Sequence, residues 1–224
     1  MIKEIKENEL SLKDKIQKMN LVFEDMINSS NFKKLKDYVL NLPELPEFIF
    51  AGVGKNWYIC EKIVKTYISM GLMANALDCT HALHGDIGML QNNNNKIIFF
   101  LSKSGTTEEM IKLVNIINVL KEKNILKNVF LVAVSLNKEI DNSLYDLILT
   151  PTSFLNNDCN YEFDKRNLVP SLSINTMQSV LDLLGVEIYE ANPELVNNYI
   201  YNHLAGHNGQ VLGGPEFLKK SLKK

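Results

Sequence analysis

Apolar residues along this chain follow two different periods, and the switch between them outlines an architecture. Between residues 8 and 28, Leu12, Ile16, Met19, Phe23 and Met26 recur at the spacing of one helical face. A second helix is predicted over 32–42, closed by Pro43 and Pro46. From residue 48 onward, short continuous apolar runs alternate with helical patterns. Strands are predicted at 48–51, 74–77, 97–101, 129–134 and 146–149. Between them fall helices at 57–70 and 108–123, a loop-to-helix segment over 81–90, and a short helix before the last strand. After a polar stretch from Pro151 to Asn167, helices are predicted at 174–190 and 193–201. Such alternation argues α/β architecture: a parallel sheet with right-handed crossovers. Asn92–Asn95 reads as a turn, and no internal repeat or second domain is visible.

Two predicted strand ends carry loops suited to an anion. Residues 101–110 read L-S-K-S-G-T-T-E-E-M, directly after the run Lys96-Ile97-Ile98-Phe99-Phe100. They lead into a helix in which Ile111, Val114, Ile117 and Leu120 recur on one face. A strand, a small hydroxyl-rich loop and a helix start aim backbone N–H groups and the positive helix end at one spot. Ser102, Ser104, Thr106 and Thr107 add hydroxyls there, which suits a phosphate; plain N-capping by Thr106 or Thr107 is the simpler alternative. The other loop, Ala51-Gly52-Val53-Gly54-Lys55, is a Gly-x-Gly turn open to close ligand approach, with Lys55 as a cation at its mouth. It lacks P-loop spacing, and Trp57 stands where a dinucleotide fingerprint needs its third glycine. In an open α/β sheet, the ligand crevice lies at these carboxyl ends.

Composition narrows the class. With 224 residues, 46% hydrophobic and a formal net charge of −2, the chain suits one well-packed, nearly neutral domain. The first 46 residues hold eight lysines against eight carboxylates, so no nucleic-acid surface is expected. Cys60, Cys79 and Cys159 are scattered without C-x-x-C spacing, which predicts reduced thiols and a cytoplasmic setting. No signal peptide or membrane span is read from the sequence. His81 and His84 lie three residues apart, but with Asp86 they still lack a fourth ligand, so no metal is predicted.

The motifs in order are G-V-G-K, H-A-L-H-G-D-I-G-M-L, S-K-S-G-T-T-E-E-M, V-P-S-L-S-I-N-T and N-H-L-A-G-H-N-G. This series resembles the arabinose-5-phosphate isomerase family of sugar-isomerase (SIS) domains over residues 48–209. That family typically shows G-M-G-K-S-G, H-G-D-L-G-M, S-N-S-G-E-S-S-E, A-P-T-S-S-T-T and S-H-P-G-G. The resemblance implies a three-layer sandwich built on a five-stranded parallel sheet, flavodoxin-like, with extra N-terminal helices. It divides the chain into a helical extension of the domain at 1–46, the SIS domain at 47–214 and a basic tail at 215–224. It implies interconversion of D-arabinose 5-phosphate and D-ribulose 5-phosphate without a cofactor, in a homotetramer whose active sites draw on neighbouring subunits. The relatives often continue into a pair of regulatory nucleotide-sensing modules, and this chain is expected to be a bare isomerase domain.

An aldose–ketose isomerisation needs a base, a donor for the developing oxyanion and an anchor for phosphate. The resemblance assigns Glu109 as acid/base, Lys55 as the oxyanion cation, and His84 and His203 as groups assisting ring opening or proton shuttling. Gly54, Ser102, Ser104, Thr106, Thr107 and Ser173 fall at substrate-binding positions. Each has a plainer alternative: a first-turn glutamate offsetting the helix dipole, a surface lysine, a histidine at a helix C-terminus. The chain departs from the family at Asn56-Trp57, Lys103, Thr106, Leu172-Ser173-Ile174-Asn175 and Leu204-Ala205, and in a longer, more acidic 156–167. Those positions bear on sugar specificity. Isomerisation of another sugar phosphate, or non-catalytic sugar-phosphate sensing, are therefore the alternative functions. The stripe from Leu12 to Met26 is expected to form part of a subunit interface.

Overall fold

The computed structural model describes residues 10–91, 94–153, 162–204, 206–211, 213, 214 and 216. Five strands run in parallel: β1 (Glu47–Gly52), β2 (Ala74–Asp78), β3 (Lys96–Leu101), β4 (Val129–Val134) and β5 (Leu147–Leu149). Their order is β2-β1-β3-β4-β5. The helices are α1 (Leu12–Ile27), α2 (Ser30–Leu40), α3 (Lys55–Ser69), α4 (Cys79–Ala82), α5 (Glu108–Glu122), α6 (Leu172–Glu190), α7 (Pro193–Asn202) and α8 (His207–Val211).

Alternation along each strand builds two cores, one per face. Phe48 and Phe50 of β1, with Ile97, Phe99 and Leu101 of β3, join residues of α1, α2, α3 and α6. Ile49, Ala51, Ile98 and Phe100 face the other way, onto Met110, Leu113, Val114 and Ile117 of α5. All six residues of both β1 and β3 are buried, which explains their uninterrupted apolar runs. Phe50 stacks on Phe99 at a centroid distance of 5.1 Å and meets Tyr67 edge-on at 4.9 Å. Tyr67 satisfies its buried hydroxyl by donating to Leu181 O at 2.8 Å, tying α3 to α6.

The observed elements differ from the predicted ones where capping chemistry decides. α1 starts at Leu12, because Ser11 and Asp14 form a capping box, with Asp14 N–H on Ser11 Oγ at 3.2 Å. Its buried face is Lys15, Met19, Val22 and Met26, whereas Leu12 and Ile16 remain 58% and 42% exposed. The predicted stripe therefore straddles the buried edge instead of coinciding with it. Lys15 is buried because its ammonium crosses to Asp164 O at 2.9 Å. Segment 81–90 forms no continuous helix. α4 ends after one turn, Gly85 takes φ +127°, and a 3-10 helix follows over Asp86–Gln91. Asn92 and Asn93 of the predicted asparagine turn, residues 154–161 with Cys159, Ala205 and the tail from 217 lie outside the described residues.

Candidate active site

The sheet order places a crevice between the ends of β1 and β3. From β1 the chain crosses through α3 to β2 on one side, while from β3 it crosses through α5 to β4 on the other. The two crossover helices pack on opposite faces, so their N-termini flank the split. Ala51 pairs with Phe100, so the Gly52–Lys55 turn and the Ser102–Thr107 loop leave adjacent strands at the same end of the sheet. The two loops singled out in the sequence are thus neighbours.

Each loop is shaped by its glycine. Gly54 holds φ +60° with open space where a Cβ would stand, and Lys55 opens α3 as an exposed residue with no ion pair among the described residues. Gly52 is needed for packing, since a Cβ there would meet the Asn56 backbone carbon at 2.9 Å. In the second loop, Ser102 is buried; its hydroxyl accepts from Gly105 N–H at 3.1 Å and pairs with Thr107 Oγ1 at 3.0 Å. Thr107 is the N-cap residue of α5, yet it gives no side-chain hydrogen bond to the first turn. Ser102 and Thr107 therefore shape the loop, while Ser104 and Thr106 are exposed and bonded to each other at 2.9 Å. The start of α5 is left without a side-chain cap, which favours an anion there.

Glu109 sits half-buried in the first turn of α5, beside this loop. It also lies near α4: burial, then the Asp78 and Glu109 charges, push the Cys79 thiol up to about 12. That thiol stays protonated and is no nucleophile at neutral pH. Asp78 itself is occupied, capping α4 through Thr80 N–H at 2.7 Å and His81 N–H at 3.3 Å. A cleft of about 480 Å³ opens beside α4, lined by Trp57, Asp78, His81, Gly85 and Asp86 among others. The Trp57 indole forms a wall of it, and His84 is exposed on the neighbouring turn. Among the described residues, no cluster of three His, Cys, Asp or Glu side chains gathers to hold a metal.

Two predicted site residues lie elsewhere within the chain. His203 follows α7, stacks on Tyr199 at 4.0 Å and bonds Tyr199 O through Nδ1 at 2.9 Å. Its neighbour Asn202 donates to Ser69 O at the far end of α3. That is about 21 Å along the helix from Lys55, so one subunit does not bring His203 to its own crevice. Ser173 is fully buried and gives its hydroxyl to Glu162, so it presents no hydroxyl to a sugar in this arrangement. The missing hydroxyl run of this segment is replaced by a charge network that no motif in the sequence announces. Glu162 is completely buried, and its carboxylate meets Lys103 Nζ at 2.8 Å. Burial pushes the Glu162 carboxyl up, but hydrogen bonds from Lys103, Ser173 and Ser171 outweigh it and leave it below the usual carboxylate range. Lys103 and the acidic character of 156–167 both stand out as departures; nothing in their spacing pairs them.

Comparison with known proteins identifies this architecture as that of sugar-isomerase (SIS) domains. An Escherichia coli CFT073 protein, solved in complex with a sugar phosphate, superposes with a TM-score of 0.61 at 23% identity, covering 80% of this chain and 88% of that one. Tagatose-6-phosphate ketose/aldose isomerase from E. coli gives 0.59 at 14% identity over 90% of this chain and 53% of its own. No family model matches the chain. In sequence, the chain is related to arabinose 5-phosphate isomerases. KdsD of Francisella tularensis is 27% identical over 191 residues, 81% of this chain and 52% of its own length. KpsF of E. coli is 23% identical over 186 residues, 83% of this chain and 52% of its own. The chain spans about half the length of these curated relatives. No helix among the described residues is long and apolar enough to cross a membrane.

Proposed function

We propose that this chain is an aldose–ketose isomerase acting on a sugar phosphate, interconverting D-arabinose 5-phosphate and D-ribulose 5-phosphate through an enediol. The observation that supports this most is the placement of Glu109. It stands in the first turn of the helix that opens at an uncapped, hydroxyl-rich anion site, and that helix starts at the same end of the sheet as the Lys55 turn. A phosphate held by Ser104, Thr106 and the α5 N–H groups would fix one end of an open-chain pentose. Glu109 then removes the proton from C2, and the Lys55 ammonium stabilises the charge that grows on O1. Return of the proton to C1 gives the ketose. His84 assists transfer between the two oxygens. His203 serves a neighbouring subunit's crevice within a homotetramer, because its own lies a helix length away. The chemistry requires no redox cofactor.

A second reading, isomerisation of a different sugar phosphate, draws on Trp57 and Ser173. An indole walls the cleft and Ser173 is turned to Glu162, both at positions where this chain departs from the resembling family. A panel of aldose phosphates assayed for ketose formation separates the readings. Turnover of arabinose 5-phosphate above the other substrates supports the first, and turnover of a hexose phosphate alone supports the second. Tight binding with no turnover of any substrate favours a sensor.

A further inference from the structure

Segment 162–171 is fastened to the loop after β3 by an ion pair whose carboxylate is fully buried. The Glu162 carboxylate accepts from Ser171 N–H at 2.8 Å, Ser171 Oγ at 3.1 Å and Ser173 N–H at 3.3 Å, besides the Ser173 hydroxyl. These neutral donors fix it at the start of α6. Its remaining partner is Lys103, in the middle of S-K-S-G-T-T, whose ammonium also donates to Asn167 O at 3.3 Å. Asn167 returns the contact, its side-chain oxygen accepting Glu162 N–H at 2.9 Å. From the β4 side, Ser135 Oγ donates to Lys103 O at 3.0 Å and Asn137 Nδ2 to Ser104 O at 2.8 Å. The loop is gripped on both flanks, by neutral hydrogen bonds on one and by a charge pair on the other.

We propose that Glu162 is a positioning residue for the anion-binding loop, acting through Lys103 to hold Ser104, Thr106 and the start of α5 where they receive a phosphate group. The inference rests on the phosphate-loop part of the reading above and not on isomerase turnover. Lys103 reaches its partner on a flexible stem, so only a fixed counter-charge converts that stem into a tether. The sign of the effect separates this role from its opposite. If Glu162 merely drew Lys103 away from the ligand, removing the carboxylate would free a cation for phosphate and tighten binding. If it positions the loop, removal loosens binding.

The test measures inorganic phosphate binding by calorimetry, and Tm, for the full chain, Glu162→Gln, and the double variant Glu162→Gln/Lys103→Met. We expect the phosphate Kd to rise about tenfold or more in Glu162→Gln, with a lowered Tm from the partly buried Lys103 ammonium left without its counter-charge. The double variant recovers Tm but keeps the weakened Kd, because the charge penalty is gone and the tether is not restored. A purely structural role would move Tm and Kd back together. Unchanged or tighter phosphate binding in either folded variant overturns the proposal. If Glu162→Gln does not fold, the double variant alone decides. Failure of the wild-type chain to bind phosphate removes the loop reading itself, and this inference with it.

Discussion

Replacing Gly105 by alanine perturbs the anion loop at its tightest point. Gly105 holds φ +69°, and an added Cβ would lie 2.7 Å from Ile140 Cγ1 and 3.0 Å from Cδ1. The left-handed backbone alone costs about 1–2 kcal/mol for an alanine. The steric term adds about 1–3 kcal/mol, since Cγ1 sits near the root of a buried side chain and cannot swing clear. The sum, about 2–5 kcal/mol, is a large share of the roughly 5–15 kcal/mol of a typical domain. Urea unfolding of Gly105→Ala, read as a shift in midpoint at constant slope, measures the loss. Adding Ile140→Ala to Gly105→Ala should give less destabilisation than the two single effects summed, because the clash is removed. Strictly additive losses in the Gly105→Ala/Ile140→Ala double variant would refute the packing argument for this loop.

Other outcomes follow from the same geometry. Ser104→Ala should weaken phosphate binding without altering the pH profile of turnover, whereas Thr107→Ala should act through the Ser102 contact and also lower Tm; titration calorimetry and melting separate them. Glu162→Gln should be less stable than wild type by a constant margin above the ordinary carboxyl value of 4.5, where the wild-type carboxylate is charged in both folded and unfolded states. Its folded value is depressed, so the wild-type advantage shrinks as pH falls below 4.5 through the folded value, and a margin that grows toward acid would contradict the sign. Mixing Glu109→Gln with His203→Asn subunits after dissociation should restore activity if sites are shared; inactive but verified hybrids would place His203 outside catalysis.

The strands were legible because both-face burial leaves continuous apolar runs such as Ile97–Leu101, and the two loops because glycine and hydroxyl spacing is local. What the sequence hid is long-range. Lys103 and Glu162 are far apart along the chain, and each alone reads as a solvated charge. Lys15 sits inside an apolar helix face, and only the backbone carbonyl of Asp164 accounts for its burial. Period alone places the α1 stripe, so it misses Val22 as core and overvalues Leu12. Ser173 is expected to face a sugar because hydroxyls occupy that position in the resembling family. Here a carboxylate from the preceding segment claims it.

The central claim is proton transfer by Glu109 on a phosphate-anchored sugar. Ribulose 5-phosphate formation from arabinose 5-phosphate, followed side by side for the wild-type chain and Glu109→Gln, tests it most directly. Measurable turnover by the wild type, lowered about 10²–10⁴-fold in kcat by the substitution with KM little changed, is the predicted result. Wild-type turnover that survives Glu109→Gln, or no turnover by a wild-type protein that binds the sugar phosphate, would contradict it.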